Sequence, residues 1–421
     1  MDTALVLGRE YHPRVIDPRL ELLLRTAGAV VIEGPRACGK TMTGLHHAES
    51  FVQLDDPRAR TFMVTDPGVL LQGANPRLLD EWQLAPELWN LVRRAVDSTP
   101  DPGQFLLTGS SIPADDATRH TGAGRFLRLR QRTMTWFERG ASSATVSLAD
   151  LVAGEGVTPS MTTSSYADVL KNLMASGFPA LVPLTLDQQQ LLLDGYLDEV
   201  ARVDLPRLGE TRQQPHTLRR LLASVGRMTA SELRYATLAA DTGTIAPGIR
   251  PETIASYVSL LERLFVLELV PAFATGLRSR AKLRTSPKVH LADPALAAVA
   301  LGADTETLGA DPETAGFLFE SAVVHDLAVM TEALGGRIHH YRDSNGHEID
   351  AILTLPGGRW AAVEIKLGGG QIDSGAASLR NAVQQIAASQ PPAFMAVITG
   401  TGYTARLADG IVTFPLSSLC P

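Results

Sequence analysis

The sequence has few cysteines and no long apolar run. Two cysteines, Cys38 and Cys420, occur in 421 residues. Because one lies in a glycine-rich loop and the other is next to the last position, we expect no structural disulfide, which favours a reducing cytoplasm. No window approaches the ~18 apolar residues that a membrane span needs, and charged residues near the start argue against a signal peptide.

An excess of positive charge is also missing. Lysine and arginine number 38 against 45 acidic residues, which gives a net charge of −7. This balance argues against a dedicated basic nucleic-acid binder, although it allows a local basic patch. The length suits two or three domains, and the apolar fraction of 45% is ordinary for a globular protein.

Changes of pattern along the chain predict three domains. Residues 1–150 alternate short apolar runs with helical patterns, which is typical of an α/β unit with a parallel sheet. Residues 151–275 have mostly helical periodicity, and strand patterns return in residues 276–421, which predicts a second α/β domain. The small, polar stretch at residues 141–165 is interpreted as a connector.

The first chemical motif is an apolar strand followed by a glycine-rich loop and a helix start. The run AVVIE leads directly into GPRACGKT, and the backbone N–H groups of such a loop can surround phosphates at a helix N-terminus. Lys40 would reach the β- and γ-phosphates, and Thr41 would ligate Mg²⁺. We therefore predict an ATP and Mg²⁺ site formed by Gly34, Pro35, Arg36, Ala37, Cys38, Gly39, Lys40, Thr41 and Met42.

Two further apolar runs end in polar groups that nucleotide hydrolysis needs. Asp80 would support the hydrated magnesium, and Glu81 would activate the attacking water. Taken alone, these two residues are more simply explained as a solvated acidic pair. The next run ends with Thr108 and Ser110, where a sensor of the γ-phosphate belongs. The order of the three strand ends favours a catalytic site over coincidence.

Apolar and basic residues alternate from residue 125 to residue 132. The alternation predicts a strand that presents arginines on one face. Arg125 is a candidate arginine finger, which would reach the γ-phosphate of a neighbouring copy in a homo-oligomer. A half-exposed strand with solvated arginines explains the same pattern equally well.

The middle of the chain has two helix-start signals, at Thr229 and at Pro251, that resemble a winged-helix arrangement. The second helix would face a DNA groove, but it has no arginine or lysine between residues 253 and 261. We therefore favour a packing role for it over base recognition. A better candidate for contact with a phosphate backbone, with a solvated linker as the equal alternative, is the basic run Arg278, Arg280, Lys282, Arg284 and Lys288.

Near the C-terminal end, two strand patterns flank a Leu-Pro-Gly-Gly turn. A hairpin centred on Gly357 would place Asp350 opposite Glu364, and Glu348 opposite Lys366. The second pair is attractive, whereas two opposed carboxylates repel each other unless a divalent cation lies between them. The sequence therefore predicts a second metal site for Mg²⁺ or Mn²⁺, with a lysine beside it to help deprotonate a water.

These residues resemble the Asp…Glu-x-Lys motif of metal-dependent nucleases, carried here by Asp350, Glu364 and Lys366. Such folds often have an upstream helix glutamate, and Glu320 lies among apolar residues at helical spacing, where an unpaired carboxylate would be costly to bury. The resemblance implies that Glu320 belongs to the same metal site. A nuclease-like fold without activity, or an exposed hairpin with a charged face, explains the motif as well.

Longer stretches resemble one family. GPRACGKT, DEWQLAPELW, LLTGSS and GRFLRLRQRTMTWFE together are similar to prokaryotic AAA-type ATPases that carry a C-terminal domain of unknown function. The resemblance implies a P-loop NTPase parallel sheet, then a helical region with winged-helix character, then a restriction-endonuclease-like α/β domain. Cys38 stands where such proteins often have another small residue.

Three roles are compatible with these motifs. The protein could be an ATPase that cuts nucleic acid through the C-terminal residues. It could be an ATP-dependent switch or DNA-binding module with an inactive C-terminal domain. It could also be an interaction protein in which the nucleotide stabilises an assembly.

Overall fold

The computed structural model describes residues 3–111, 122–208, 214–274 and 286–421. It divides the chain into two compact units, Met1–Thr133 with Arg263–Val266, and Met134–Glu262 with Leu267–Pro421. The domain boundaries that we predicted at residues 150 and 275 stay predictions. Among the helices of the described ranges, none is long and apolar enough to cross a membrane.

The first unit alternates strands and helices. In chain order it contains α1 (Thr3–Leu7), α2 (Asp17–Leu24), β1 (Ala29–Glu33), α3 (Lys40–His47), β2 (Ser50–Gln53), α4 (Pro57–Thr65), β3 (Arg77–Asp80), α5 (Leu88–Ser98), β4 (Phe105–Gly109) and β5 (Phe126–Arg130). The helix after the glycine-rich loop begins at Lys40, directly after Gly39.

The strands of the first unit form one parallel sheet in the order β2-β3-β4-β1-β5. Strands β3 and β4 are buried throughout, and such continuous apolar runs are typical of parallel strands that are covered on both faces. Because all strands run the same way, Glu33, Asp80 and Gly109 end at the same edge of the sheet. The predicted parallel α/β unit is confirmed.

The remaining elements lie in the second unit, except for Arg263, the last residue of α12. In chain order they are β6 (Val146–Ser147), α6 (Leu148–Ala153), β7 (Ser160–Met161), α7 (Tyr166–Met174), α8 (Leu186–Glu199), α9 (Leu205–Leu208), α10 (Pro215–Arg227), β8 (Ser231–Glu232), α11 (Tyr235–Gly243), α12 (Pro251–Arg263), β9 (Leu267–Val270), β10 (Lys288–Leu291), α13 (Pro294–Leu301), α14 (Thr305–Ala310), α15 (Pro312–Ala333), β11 (Arg337–Arg342), β12 (Glu348–Thr354), β13 (Trp360–Lys366), α16 (Ile372–Gln384), β14 (Met395–Thr399), β15 (Tyr403–Arg406), β16 (Val412–Pro415) and β17 (Leu419–Cys420).

Two local predictions for this unit are wrong. Residues 141–165 are not a plain connector, because β6 pairs with β17 and the apolar side chains of Val146, Leu148 and Leu151 are buried. Thr229 does not begin a helix, since it precedes β8 and its N–H bonds the Gly226 carbonyl in a turn. Both predictions failed because β6 and β8 pair with strands far along the chain, β17 and β10, which local sequence patterns do not reveal.

Strands β8, β9 and β10 form a small antiparallel sheet of order β8-β10-β9. Along the chain, β8 follows the helix α10, and β9 and β10 follow the helices α11 and α12. The larger sheet has the order β11-β12-β13-β14-β16-β15-β7, in which β12 and β13 form the predicted hairpin and β13, β14 and β16 run parallel. Helix α15 contacts β11, β12 and β13, and α16 contacts β12, β13 and β14. The predicted return of α/β structure is therefore confirmed.

Candidate nucleotide site and acidic centre

The glycine-rich loop adopts backbone conformations that glycine favours. Gly39 has φ 99° just before α3, and Ala37 has φ 66°. At Gly34 a Cβ atom would lie 2.0 Å from the carbonyl oxygen of Gln131. The backbone can therefore curl at this place only because Gly34 has no side chain. Arg36 and Ala37 are exposed, whereas Pro35, Cys38 and Lys40 are buried.

Gln131 and Arg14, which the sequence did not single out, hold this loop through hydrogen bonds to Cys38. The side-chain amide of Gln131 donates to the Cys38 carbonyl at 3.1 Å, and the Cys38 thiol donates to the Gln131 carbonyl at 3.3 Å. Arg14 donates to the carbonyl of Cys38 and to that of Arg132, both at 3.0 Å. Cys38 is thus a buried support of the loop, a role that its position in the motif did not reveal.

Lys40 and Thr41 follow the loop at the start of α3. The Lys40 ammonium is buried and donates to the Pro35 carbonyl at 2.8 Å. The Thr41 hydroxyl donates to both carboxylate oxygens of Asp80, at 2.9 and 3.2 Å. Thr108 donates to the same carboxylate from the neighbouring strand end. Three of the predicted strand-end and loop residues are therefore brought together.

The Asp80 carboxylate lies in a dry position, with a relative exposure of 3%. Burial raises its pKa above the usual range, against hydrogen bonds from Thr108 and Thr41 that lower the pKa. A hydroxyl and a buried carboxylate are the oxygen ligands that Mg²⁺ prefers. The donor set at Thr41 and Asp80 therefore fits a magnesium ion.

Glu81 has φ 58°, an uncommon conformation for a residue with a side chain. Its N–H donates to the Thr108 hydroxyl at 3.2 Å. Its carboxylate accepts from the Ser110 hydroxyl at 3.2 Å and from the amide of Gln83, which in turn donates to Ser110 at 3.1 Å. Gln83 is a further member of the site that sequence reasoning missed, because its role depends on this unusual turn.

Arg125 lies away from the phosphate loop. It precedes β5, whose first residue pairs with Ala29 at the start of β1, whereas the loop follows the other end of β1. Its side chain is 43% exposed and forms an ion pair with Asp97, with 2.7 Å between Nε and Oδ1. Within one chain Arg125 therefore does not approach its own phosphate loop.

The second unit gathers acidic residues around a buried lysine. The Lys288 ammonium lies 2.7 Å from Glu320 Oε1, 2.9 Å from Glu348 Oε1 and 3.7 Å from Asp350 Oδ1. The Lys288 side chain is only 5% exposed, so these contacts are weakly screened. We call Glu320, Glu348, Asp350, Glu364, Lys288 and Lys366 the acidic centre.

The remaining members come from the predicted hairpin. The pairing of Ala351 with Val363, continued by one residue, places Asp350 opposite Glu364 as predicted. Asp350 Oδ2 accepts from the N–H of Ile365 at 2.8 Å, and Glu364 Oε1 accepts from Lys366 at 2.7 Å. Glu364 Oε2 is buried and has no hydrogen-bond partner among the described residues.

Repulsion and burial change the ionisation of this centre. Burial, and after it the charge of Asp350, raises the pKa of Glu320 and also that of Glu364. The pKa of Lys288 is raised by the three surrounding carboxylates, against the effect of burial. The pKa of Glu348 is lowered by Lys288 in spite of its own burial. The negative charges are thus only partly compensated.

Several details of the prediction are wrong. Lys366 bonds Glu364 on its own strand, and Glu348 bonds Lys288, so the predicted Glu348–Lys366 pair does not form. Lys288 is neither a phosphate contact nor part of a solvated linker, because it is buried among carboxylates. The other residues of that basic run, Arg278, Arg280, Lys282 and Arg284, lie outside the described residues.

A ready-made metal site is not found. Among the described ranges, no three histidine, cysteine or acidic side chains are grouped so that they could hold a metal ion as they stand. Lysine contacts occupy carboxylate oxygens of Glu320, Glu348 and Glu364. The predicted metal site with Glu320, Asp350 and Glu364 therefore stays a prediction.

Family comparisons support the first of these sites. Residues 26–139, which contain the loop, Asp80, Glu81 and Ser110, match the family model of an AAA domain. This segment is an AAA-type P-loop domain. Its family supports ATP binding at the loop. Residues 166–307 and 315–419 match models described as domains of unknown function, DUF8612 and DUF4143. The residues of the acidic centre lie in these two segments, and the descriptions of the two models give no function for them.

Two relatives match most of the chain. Two uncharacterized proteins, one of Mycobacterium bovis and one of Mycobacterium tuberculosis, are 27% identical over 348 residues, which cover 80% of this chain and 70% of each relative. A solved structure, a Walker-type ATPase of Pyrococcus abyssi, has 13% identity and a TM-score of 0.42, and the match covers 69% of this chain and 96% of that chain.

Proposed function

We propose that the AAA domain hydrolyses ATP with the help of Mg²⁺. The observation that carries the proposal is the convergence of Thr41, Thr108 and Asp80, which joins the loop to two strand ends by hydrogen bonds. Lys40 would leave the Pro35 carbonyl, 2.8 Å away, and bind the β- and γ-phosphates. Bound Mg²⁺ would supply charge neutralisation, and Thr41 and Asp80 would hold it.

Glu81 is the proposed general base. Its carboxylate is oriented by Gln83 and Ser110, and its unusual backbone conformation lies directly after the strand end of Asp80. Glu81 would orient the attacking water and take its proton. Ser110 would report the presence of the γ-phosphate, because loss of that group would change the hydrogen bonds shared by Ser110, Gln83 and Glu81.

Steady-state ATP turnover tests these roles. Glu81→Gln should lower kcat by about 10²-fold or more, the usual effect of removing a general base, while nucleotide binding is retained. Lys40→Ala should lose nucleotide affinity. Glu87→Gln, an exposed glutamate near the same turn, is the matched control and should turn over like the wild type. Wild-type turnover by Glu81→Gln would refute the general base, and unchanged affinity in Lys40→Ala would refute the nucleotide site.

A second candidate function belongs to the acidic centre. We infer that it binds a divalent cation and hydrolyses phosphodiester bonds of nucleic acid, in a fold related to restriction endonucleases. The inference is supported by Asp350 and Glu364 on adjacent strands, with Lys366 beside them and Glu320 on the neighbouring helix. The cation would lie between Asp350 and Glu364, and Lys366 would help deprotonate a water.

Incubation of the full chain with DNA and with RNA in Mn²⁺ tests cleavage. Asp350→Ala should abolish it, whereas Asp373→Ala, an exposed carboxyl on α16, should not. Equal background degradation by the wild type and Asp350→Ala would leave the alternative in which the C-terminal part only binds. If the wild-type protein also fails to hydrolyse ATP, the result would favour the role of an interaction protein.

The middle of the chain supports a winged-helix interpretation. The succession α10, β8, α11, α12, β9 and β10, with the sheet order β8-β10-β9, resembles that arrangement. Helix α12 buries Ile254, Tyr257, Val258 and Leu261 and has the sequence PETIASYVSLLER, with few donors for bases. We propose that α12 has a packing role and does not recognise bases.

A further inference from the structure

The acidic centre contains a cation of its own. Lys288 comes from β10 of the small sheet, and its ammonium touches Glu320 on α15 and Glu348 on β12 at hydrogen-bond distance. A divalent cation shared by two carboxylates would take a similar position between their oxygens. The buried ammonium and such an ion would therefore compete for the same place.

A simple charge count limits how many further cations the centre needs. The four carboxylates of Glu320, Glu348, Asp350 and Glu364 and the two ammonium groups of Lys288 and Lys366 leave two negative charges when all are ionised. One divalent cation would neutralise them.

The unused oxygen atoms indicate where that cation would bind. Glu364 is 5% exposed, and its Oε2 has no hydrogen-bond partner in the described part of the chain. Asp350, which lies across the hairpin, is held by the Ile365 N–H through Oδ2, while Oδ1 is 3.7 Å from Lys288. Burial of an unpaired carboxylate oxygen is costly unless a donor or a cation reaches it.

We propose that Lys288 is a permanent counter-cation of the acidic centre, which takes the place of a second divalent cation between Glu320 and Glu348 and limits the centre to one divalent ion, bound by Asp350 and Glu364. The proposal rests on the metal site of the proposed function. It assigns Glu320 to Lys288 rather than to the metal. Lys288 is thus a positioning residue, since it acts through the carboxylates that it holds.

Counting bound Mn²⁺ by electron paramagnetic resonance, without nucleotide, tests the proposal on the full chain. Lys288→Met should bind one more Mn²⁺ per chain than the wild type, because Glu320 and Glu348 become available. Lys288→Arg keeps the charge and should bind the wild-type number, as should the exposed-site control Lys171→Met. Equal counts for Lys288→Met and the wild type would overturn the proposal.

Two further variants keep the outcome decisive. Glu320→Gln combined with Lys288→Met should lose the additional ion, and its retention would contradict the proposal. If Lys288→Met is unstable, Mn²⁺ should raise its melting temperature by more than that of the wild type, and an equal or absent rise would count against Lys288. Asp350→Asn should bind one Mn²⁺ fewer than the wild type. Absence of cleavage alone would refute the nuclease activity and leave these ion counts unaffected.

Discussion

The buried carboxyl group of Asp80 has a cost in stability at neutral pH. Burial raises the pKa of Asp80 from its ordinary value of 3.8, so the folded state holds the proton more tightly than the unfolded state. The contribution of Asp80 to stability is therefore most favourable below that value and is lost as pH rises through the folded pKa.

Asp80→Asn should accordingly stabilise the protein while it abolishes ATP turnover. The amide oxygen can still accept from Thr41 and Thr108, but no charge remains to be desolvated. We expect the melting temperature at pH 7 to rise by about 2–4 °C, the effect of roughly 1 kcal/mol in a domain of this size. Calorimetry without nucleotide or magnesium measures it. Asp101→Asn, an exposed carboxyl, is the control, and a lower melting temperature for Asp80→Asn would contradict the expectation.

Gly34 offers a steric test of the loop. Gly34→Ala places a Cβ 2.0 Å from the Gln131 carbonyl oxygen, which the backbone can relieve only by moving the loop. We expect nucleotide affinity to fall by at least 10-fold, as measured by calorimetric titration with ATP. In contrast, Gly316→Ala in α15 meets no atom within 4 Å and should stabilise the protein by about 0.5–1 kcal/mol. Full affinity in Gly34→Ala would argue against a tight approach at this position.

Residues whose positions depend on their immediate neighbours could be placed from the sequence. Lys40, Thr41 and Asp80 were, because a strand, a glycine loop and a helix start fix their positions locally. Gln131 was not singled out, since it meets Cys38 across 93 positions in the chain. Lys288 was assigned to a basic run instead of the acidic centre, since it meets Glu320 across 32 positions. A local sequence pattern does not predict a contact between residues that lie so far apart in the chain.

At the scale of single elements, turn chemistry determined the hairpin correctly. The register follows from Leu-Pro-Gly-Gly, in which Gly357 and Gly358 have φ 78° and 76°, and it is the register that we predicted. The ion pairs differ because Lys288 enters from β10, and the pairwise rule for opposed strands considers only two strands.

The short strand pair β6–β17 is an element that the sequence did not reveal, and it can be tested. Leu419 is 1% exposed and pairs with Val146, and the N–H of Thr145 donates to the Ser418 carbonyl at 2.9 Å. Leu419→Ala should cost about 2–5 kcal/mol of local stability and speed amide hydrogen exchange at Thr145. Met161→Ala, at a side chain that is 78% exposed, should leave exchange unchanged. Wild-type exchange in Leu419→Ala would mean that this pair contributes little.

At the scale of the whole molecule, the pattern changes along the sequence gave the right order of structural classes. The chain passes from a parallel sheet through mostly helical structure to a second, mixed sheet. The short strands β8, β9 and β10 were not predicted as a sheet, because strands of two to four residues carry too little alternation to be distinguished from loops.

Arg125 raises the question of whether the catalytic unit is larger than one chain. It lies at the amino end of β5, whereas the phosphate loop follows the carboxyl end of β1, and five strand residues span roughly 16 Å. If Arg125 acts on ATP, it therefore acts on the ATP of a second copy. The ion pair with Asp97 would orient Arg125 at the surface for such a contact.

Mixing two inactive variants tests this arrangement. Arg125→Ala should lower kcat by about 10³-fold if it is an arginine finger, and Glu81→Gln should be inactive for its own reason. A mixture of the two should recover turnover well above the sum of the separate proteins, because some interfaces combine an intact Glu81 with a neighbour's intact Arg125. Arg93→Ala is the control, since Arg93 contacts the same Asp97 at 3.1 Å and is not the proposed arginine finger. Wild-type turnover in Arg125→Ala, or a mixture no more active than its parts, would mean that each chain hydrolyses ATP without a neighbour's arginine.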